Sequence, residues 1–260
     1  MSNDVEQPQE VQFCFKGKSV LVTGSSRGIG KAIALAFAKA GASIILHGKT
    51  QSDSLQQTQE TVSQYSDAVE QWICDFSCRE STQSALKHLP SNVDILVLNA
   101  SMEIRDTLLS HQAEDLQQQF DCNFQANILL LHHVLPYMRQ QRRGRVVAIG
   151  SIQEVYANPS LAVYAALKTA QTHYLQTVAK TMAGEGITLN TVAPGAIFTD
   201  RNETVLASEQ YRQQVQQKIP MKKIGRPQDC VGAVLFLASE SAQYITGAWL
   251  PVDGGYHLGS

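Results

Sequence analysis

The feature that most constrains this chain is an alternation. Short apolar runs, many of them β-branched, are separated by stretches with helical periodicity. The runs at 19–23, 43–47, 71–74, 94–98, 145–149, 187–192 and 248–252 read as strands. Helical patterns fill 29–40, 53–65, 79–89, 113–140, 159–183 and 229–238. Several strands are apolar at every position, as expected when both faces are buried. Strand–helix alternation of this kind predicts one doubly wound α/β domain over 17–260, a seven-stranded parallel sheet flanked by helices. Residues 1–16 read as a polar extension. A Gln-rich segment at about 200–218 breaks the alternation and reads as a helical flap.

Composition narrows the classes of function. Of 260 residues, 43% are hydrophobic and 17% charged, which is ordinary for a globular chain and too apolar for a disordered one. A net charge of −2 gives no basic excess for nucleic acid or a membrane surface. No apolar run approaches the roughly 18 residues of a membrane span. The start, MSNDVEQPQE, lacks the apolar region of a signal peptide. Five cysteines (Cys14, Cys74, Cys78, Cys122 and Cys230) are an odd, scattered set and not a disulfide framework. Cys74 and Cys78 have no second ligand pair, and His132 and His133 no third ligand, so no metal site is expected. The expectation is reduced thiols in a cytoplasmic protein.

The first strand runs into Thr23-Gly24-Ser25-Ser26-Arg27-Gly28-Ile29-Gly30 and then a helix. Glycines permit a tight turn and close backbone approach, and the free N–H groups of the helix start favour a phosphate. It is not the Walker pattern, because Ala32 follows Lys31 where Ser or Thr is needed. Alone, such a turn is also an ordinary tight connection. The second strand ends His47-Gly48-Lys49, without the acidic residue that holds the ribose hydroxyls of NAD. Arg27 and Lys49 can face a 2′-phosphate, which favours NADP(H) over NAD(H); the plainer alternative is two solvated loop charges.

Tyr164 and Lys168 are four residues apart on one helical face, and Ser151 closes a buried strand upstream of them. With these residues the chain resembles the short-chain dehydrogenase/reductase family. Thr23–Gly30 is similar to its TGxxxGxG turn, Ser151 and Tyr164-Ala165-Ala166-Leu167-Lys168 to its serine and YxxxK, and Asn99-Ala100 to its NAG motif. Asn123 lies where the family keeps a catalytic asparagine. Asn190, Pro194-Gly195 and Val252-Asp253-Gly254-Gly255 resemble later signatures. The likeness covers roughly residues 17–256. It implies a Rossmann-like fold, an NADP(H)-dependent oxidoreductase acting on CH–OH/C=O groups, and Asn123, Ser151, Tyr164 and Lys168 as catalytic residues. Cofactor contacts are implied at Gly24, Ser26, Arg27, Gly28, Ile29, Gly30, Lys49, Asp75, Phe76, Asn99, Ala100, Ser101, Tyr164, Lys168, Pro194, Gly195, Ile197 and Thr199. One departure is Ser101, where the family has glycine. The implied roles are physically sound. A tyrosine ordinarily titrates near 10, and lowering that by three units takes about 4 kcal/mol, the scale of one cation at ~4 Å. Lys168 can supply that charge, Tyr164 can move the proton, and Ser151 can hold the substrate oxygen. Asn123 is expected to place a water in a relay to Lys168.

Beyond the strand ends, Ser151, Gln153, Glu154, Tyr156 and Phe198 are the expected substrate contacts, joined by Met102, Glu103 and Asn158. So polar a set suits a small polar ketone or sugar-like alcohol. A 3-oxoacyl thioester reductase of the acyl-carrier-protein type is the alternative. Arg139, Arg142, Arg143 and Arg145 could meet an acidic carrier, or form a solvated helix end. A non-catalytic dinucleotide-binding regulator is a third reading, disfavoured because all four catalytic residues are present. The stretches 113–140 and 159–183 carry more apolar surface than one sheet face covers. Relatives in the family pair such helices, which implies a homotetramer.

Overall fold

The computed structural model describes residues 13–105, 110–200 and 208–259. Seven strands form one parallel sheet: β1 (Ser19–Val22), β2 (Ser43–Gly48), β3 (Val69–Ile73), β4 (Ile95–Leu98), β5 (Gly144–Ile149), β6 (Ile187–Pro194) and β7 (Trp249–Val252), in the order β3-β2-β1-β4-β5-β6-β7. The α-helices among the described residues are α1 (Gly28–Lys39), α2 (Asp53–Val62), α3 (Arg79–Leu86), α4 (Ala113–Phe120), α5 (Ala126–Gln140), α6 (Ala162–Met182), α7 (Glu209–Lys218) and α8 (Pro227–Ala238). The apolar runs are continuous because their alternate residues serve two cores. Val20, Val22, Ile44, Leu46, Val97 and Val147 pack with Ile33 and Phe37 of α1 and Val234 and Leu237 of α8. Leu21, Ile45, Leu96, Leu98, Val146 and Ala148 pack with Leu130 and Val134 of α5 and Leu175 of α6. Strand order reverses between β1 and β4, which opens a crevice at their carboxyl ends. Hydrogen bonds stitch that point. Thr23 Oγ1 accepts from Asn99 N at 2.8 Å and Ala100 N at 2.9 Å, while Asn99 Nδ2 donates to the carbonyls of Thr23 and Gly24.

Two boundaries differ from expectation. The stretch 113–140 is two helices joined by a π-helical turn, Asp121–Gln125, which holds Asn123. Apolar periodicity continues through such a turn, so the sequence does not mark it; π-turns recur at functional sites. Second, the polar extension does not reach 16. Phe15 is buried, packs edge-on against Phe37 at 4.8 Å and donates its N–H to Ala40 O, while residues 1–12 lie outside the described residues. The segment read as a helical flap contains α7, capped by Ser208, while its residues 201–207 lie outside the described residues. Among the described residues, no helix is long and apolar enough to cross a membrane.

Candidate active site

A cleft of about 600 Å³ runs along the carboxyl ends of the strands. At one end lies the glycine turn. Gly24 has φ +63°, and a Cβ there would meet the Ala100 backbone at 2.9 Å. A Cβ on Gly30 would overlap Gly24 O and Asn99 Nδ2, so α1 can start this close to the turn only with glycine. Gly30 therefore supports the cleft from beneath, while Gly24, Ser26, Arg27, Gly28 and Ile29 line it. No side chain caps α1 and its first turn carries no acid, so its N–H groups and dipole are free for an anion.

The turn is held by a residue that the sequence reading passed over. His47 Nδ1 accepts from Gly24 N at 2.8 Å, and Nε2 donates to Cys74 O at 3.0 Å. These bonds require the neutral Nε2–H tautomer. Burial pushes the imidazole down to about 4. Its ring stacks on Phe76 at 4.2 Å, and Phe76 lines the cleft as expected. The only early signal was a histidine at a strand end otherwise apolar.

Lys49 pairs with Asp75 at 3.2 Å. Asp75 Oδ1 also accepts from Ser77 N at 2.9 Å and Ser77 Oγ at 2.6 Å. Burial works against the Asp75 carboxylate, but the Ser77 bonds and Lys49 together hold it below the usual carboxylate range. Lys49 is thus a half-exposed cation held at the cleft rim, not a freely solvated charge.

At the opposite end Ser151, Tyr164 and Lys168 converge, all buried. Tyr164 and Lys168 sit one turn apart on α6, with Lys168 Nζ 5.9 Å from the centre of the Tyr164 ring. Lys168 Nζ donates to Ile149 O at 2.7 Å and to Gln171 Oε1 at 3.1 Å. Ser151 follows β5 and caps a 3-10 turn, Ile152–Glu154; its Oγ accepts from Gln153 N at 3.1 Å. Asn99, Ala100, Ser101, Pro194, Gly195, Ile197 and Thr199 line the wall between the two ends, as the resemblance implied.

Asn123 is placed differently. Its Oδ1 accepts from Met102 N at 2.8 Å and its Nδ2 donates to Met102 O at 2.7 Å, while its own carbonyl accepts from Asn127 Nδ2 at 2.6 Å. The side chain fastens the segment after β4; Cys122 beside it lines the cleft.

The substrate set divides. Gln153 joins Ser151 in the cleft, with Glu103, Arg105 and Asn158; Arg105 Nε pairs with Glu103 at 2.8 Å. Glu154 is turned away: its Oε1 accepts from Ser151 N at 2.8 Å beneath the strand end. Tyr156 is off the cleft lining and packs on Tyr256, whose ring centre is 5.0 Å away, and Tyr256 takes its place in the wall. Phe198 is 42% exposed and outside the lining, because its N–H is fixed to Gly225 O. Tyr211 and Val215 of α7 close the outer side. Neither Tyr211 nor Tyr256 was assigned to the site from sequence, since nothing local marks residues so distant in the chain as neighbours.

The arginine cluster sits at the amino end of β5, opposite the cleft. Arg139 and Arg142 pair with Glu185, and Arg143 and Arg145 with Glu240. Each arginine is ion-paired, but the four share two carboxylates, so the network keeps a positive excess.

Comparison with known proteins agrees with this geometry. A family model described as Enoyl-(Acyl carrier protein) reductase matches residues 24–257. The 3-oxoacyl-[acyl-carrier-protein] reductase FabG of Rickettsia conorii is 36% identical over 92% of this chain and 96% of its own. A solved 3-oxoacyl (acyl-carrier-protein) reductase from Agrobacterium tumefaciens, with NADP bound, superposes with a TM-score of 0.89 at 36% identity, covering 97% of this chain and all of that one. A candidate gluconate dehydrogenase from the same organism gives 0.89 at 29% identity, over 95% of this chain and 99% of its own. Turn, strand order, serine and YxxxK helix coincide with matches across nearly the whole length, and the chain belongs to the short-chain dehydrogenase/reductase family.

Proposed function

We propose that the protein is an NADP(H)-dependent oxidoreductase that interconverts a small polar ketone and its secondary alcohol. The observation that carries this is the convergence of Ser151, Tyr164 and Lys168 on a cleft whose far end is an uncapped helix start behind a glycine turn. That cleft fits the cofactor. The turn and α1 would hold the pyrophosphate, and Arg27 and Lys49 would face the 2′-phosphate, where β2 ends without an acid. The relatives with bound NADP support the same preference. When bound, the nicotinamide supplies the hydride chemistry.

The chain's own groups handle the substrate oxygen. Gln153 N–H engages the Ser151 hydroxyl, which leaves its proton to donate to that oxygen. Tyr164 gives the proton in reduction and takes it in oxidation. Lys168 places a buried positive charge beside the phenol, held by Ile149 O and Gln171. Asn123 keeps Met102 and the adjoining wall in place.

For the substrate, Gln153 supports a hydroxylated compound. Its Oε1 is buried without a hydrogen-bond partner beside Ser151, and a vicinal hydroxyl would satisfy it. The Glu103–Arg105 pair, Asn158 and the Tyr256 and Tyr211 rings suit a polar, sugar-like molecule. A second reading, a 3-oxoacyl thioester reductase, rests on the names of the relatives. We further propose a cytoplasmic homotetramer, supported by cysteines that form no disulfide among the described residues and by the partly exposed apolar side chains of α4.

The test is turnover of NADPH and NADH with polar ketones, sugars and acetoacetyl thioesters, for the parent and Tyr164→Phe. Oxidation of NADPH by a hydroxylated ketone is expected, with kcat lower by about 10²-fold or more in the variant and NADPH binding intact. A thioester preferred by a wide margin would select the second reading. Near-normal turnover in Tyr164→Phe would refute the role of the phenol.

A further inference from the structure

The 3-10 turn after β5 contains a carboxylate that the reaction as described does not use. Glu154 Oε1 accepts from Ser151 N at 2.8 Å, which completes a capping box with the Ser151 hydroxyl. The group lies under Gly150. A Cβ on Gly150 would overlap Glu154 Oε1 and press on the Thr191 methyl, so the glycine before the serine makes room for this carboxylate. Burial pushes the Glu154 carboxyl above the usual carboxylate range; the Ser151 N–H, the Thr172 hydroxyl and the Lys168 charge act in the other direction. A neutral amide would cap the turn equally well by shape, and a buried charge costs more to keep. The positive charge opposing it is Lys168, itself 1% exposed.

We propose that Glu154 is a positioning residue of the reaction: it fixes the backbone of Ser151 and balances the buried charge of Lys168 beside Tyr164. The inference rests on the oxidoreductase reading above. Trp249 of β7 faces Glu154, with the Asp253–His257 pair beyond its ring. Glu114 and Asp115 lie on α4, and Asp121 in the π-turn is bonded to Gln117. Cys122 neighbours it, β6 brings no titratable group, and His173 and Lys180 of α6 are exposed. Across the cleft stands the Glu103–Arg105 pair.

Two variants separate shape from charge. Glu154→Ala removes both and is expected to lower kcat by about tenfold, the scale of one lost buried hydrogen bond, with little change in KM for NADPH. Glu154→Gln keeps an acceptor for Ser151 N and should recover part of that loss. Its pH–rate profile should move toward acid, because removing a negative charge eases proton release from the neighbouring phenol. A purely structural Glu154 would change thermal stability and leave the profile in place. Phenolate absorbance reads the same charge without turnover: with Tyr164→Phe as the blank, the Tyr164 signal should rise at lower pH in Glu154→Gln than in the parent. An unshifted phenolate titration, or an unshifted rate profile, overturns the proposal, even where Glu154→Ala fails to fold. A parent with no turnover on any carbonyl, but with the phenolate shift intact, would instead refute the oxidoreductase reading.

Discussion

His47 shows how one residue couples the sheet to the cofactor end. Neutral, it accepts from Gly24 N and donates to Cys74 O, and it sits buried between Trp72 and Phe76. Protonation would force a donor against the Gly24 N–H. Its folded pKa of about 4 lies below the ordinary histidine value of 6.5. The folded protein therefore binds fewer protons than the unfolded chain between those values. Its stability is full above pH 6.5 and falls as the pH drops toward 4, by about 3 kcal/mol from this group. Chemical denaturation at a series of pH values should show that slope, and His47→Asn should flatten it while costing about 1–2 kcal/mol at neutral pH. An unchanged slope in the variant would assign acid lability to other groups. The sequence displayed this histidine only as the end of a strand. The bond to Gly24 depends on the pairing of β2 with β1, which no local pattern states.

At the scale of elements, strands were legible to within about two residues because burial on both faces leaves no polar interruption inside them. The glycine turn, Ser151 and the Tyr164–Lys168 face were legible because each is a local spacing. What was not legible depends on neighbours. The π-turn interrupts 113–140 without breaking its apolar pattern. Glu154 is different: its Ser151-x-x-Glu154 capping spacing is local, and the sequence reading assigned the carboxylate to substrate instead. The end of β2 gives a further prediction. Lys49 is held by Asp75 and Ser77 at the rim, where the 2′-phosphate of NADP would compete for it. A charge-assisted bond to phosphate is worth about 1.5–3 kcal/mol, reduced here because Lys49 is 59% exposed. Lys49→Ala should thus lower kcat/KM for NADPH by about tenfold and leave that for NADH almost unchanged. Equal losses with both cofactors would mean that Lys49 supports the rim and does not read the phosphate.

At the scale of the whole molecule, the arginine cluster lies away from the chemistry. The cleft occupies the carboxyl ends of the strands, and the arginines at the α5–β5 connection meet Glu185 and Glu240 at the other end. An acidic partner recognised through those arginines would have to break four ion pairs far from the reacting atoms. Part of the exposed apolar surface lies on α4, which flanks the sheet. Leu116 and Phe120 of α4 are each 38% exposed, and Phe120 continues through Phe124 to Tyr174 of α6 as a row of rings 5.8 and 5.9 Å apart. Such a row, with polar Gln117 and Gln118 at its rim, suits a second copy of the same helices related by a twofold axis. Sedimentation of the full chain at micromolar concentration should show a tetramer. Replacing Leu116 and Phe120 together by Glu places two carboxylates in that contact, and the product should dissociate to a smaller species that still binds NADPH. A parent that sediments as a monomer would refute the tetramer, and a double variant still tetrameric would place the assembly contact elsewhere.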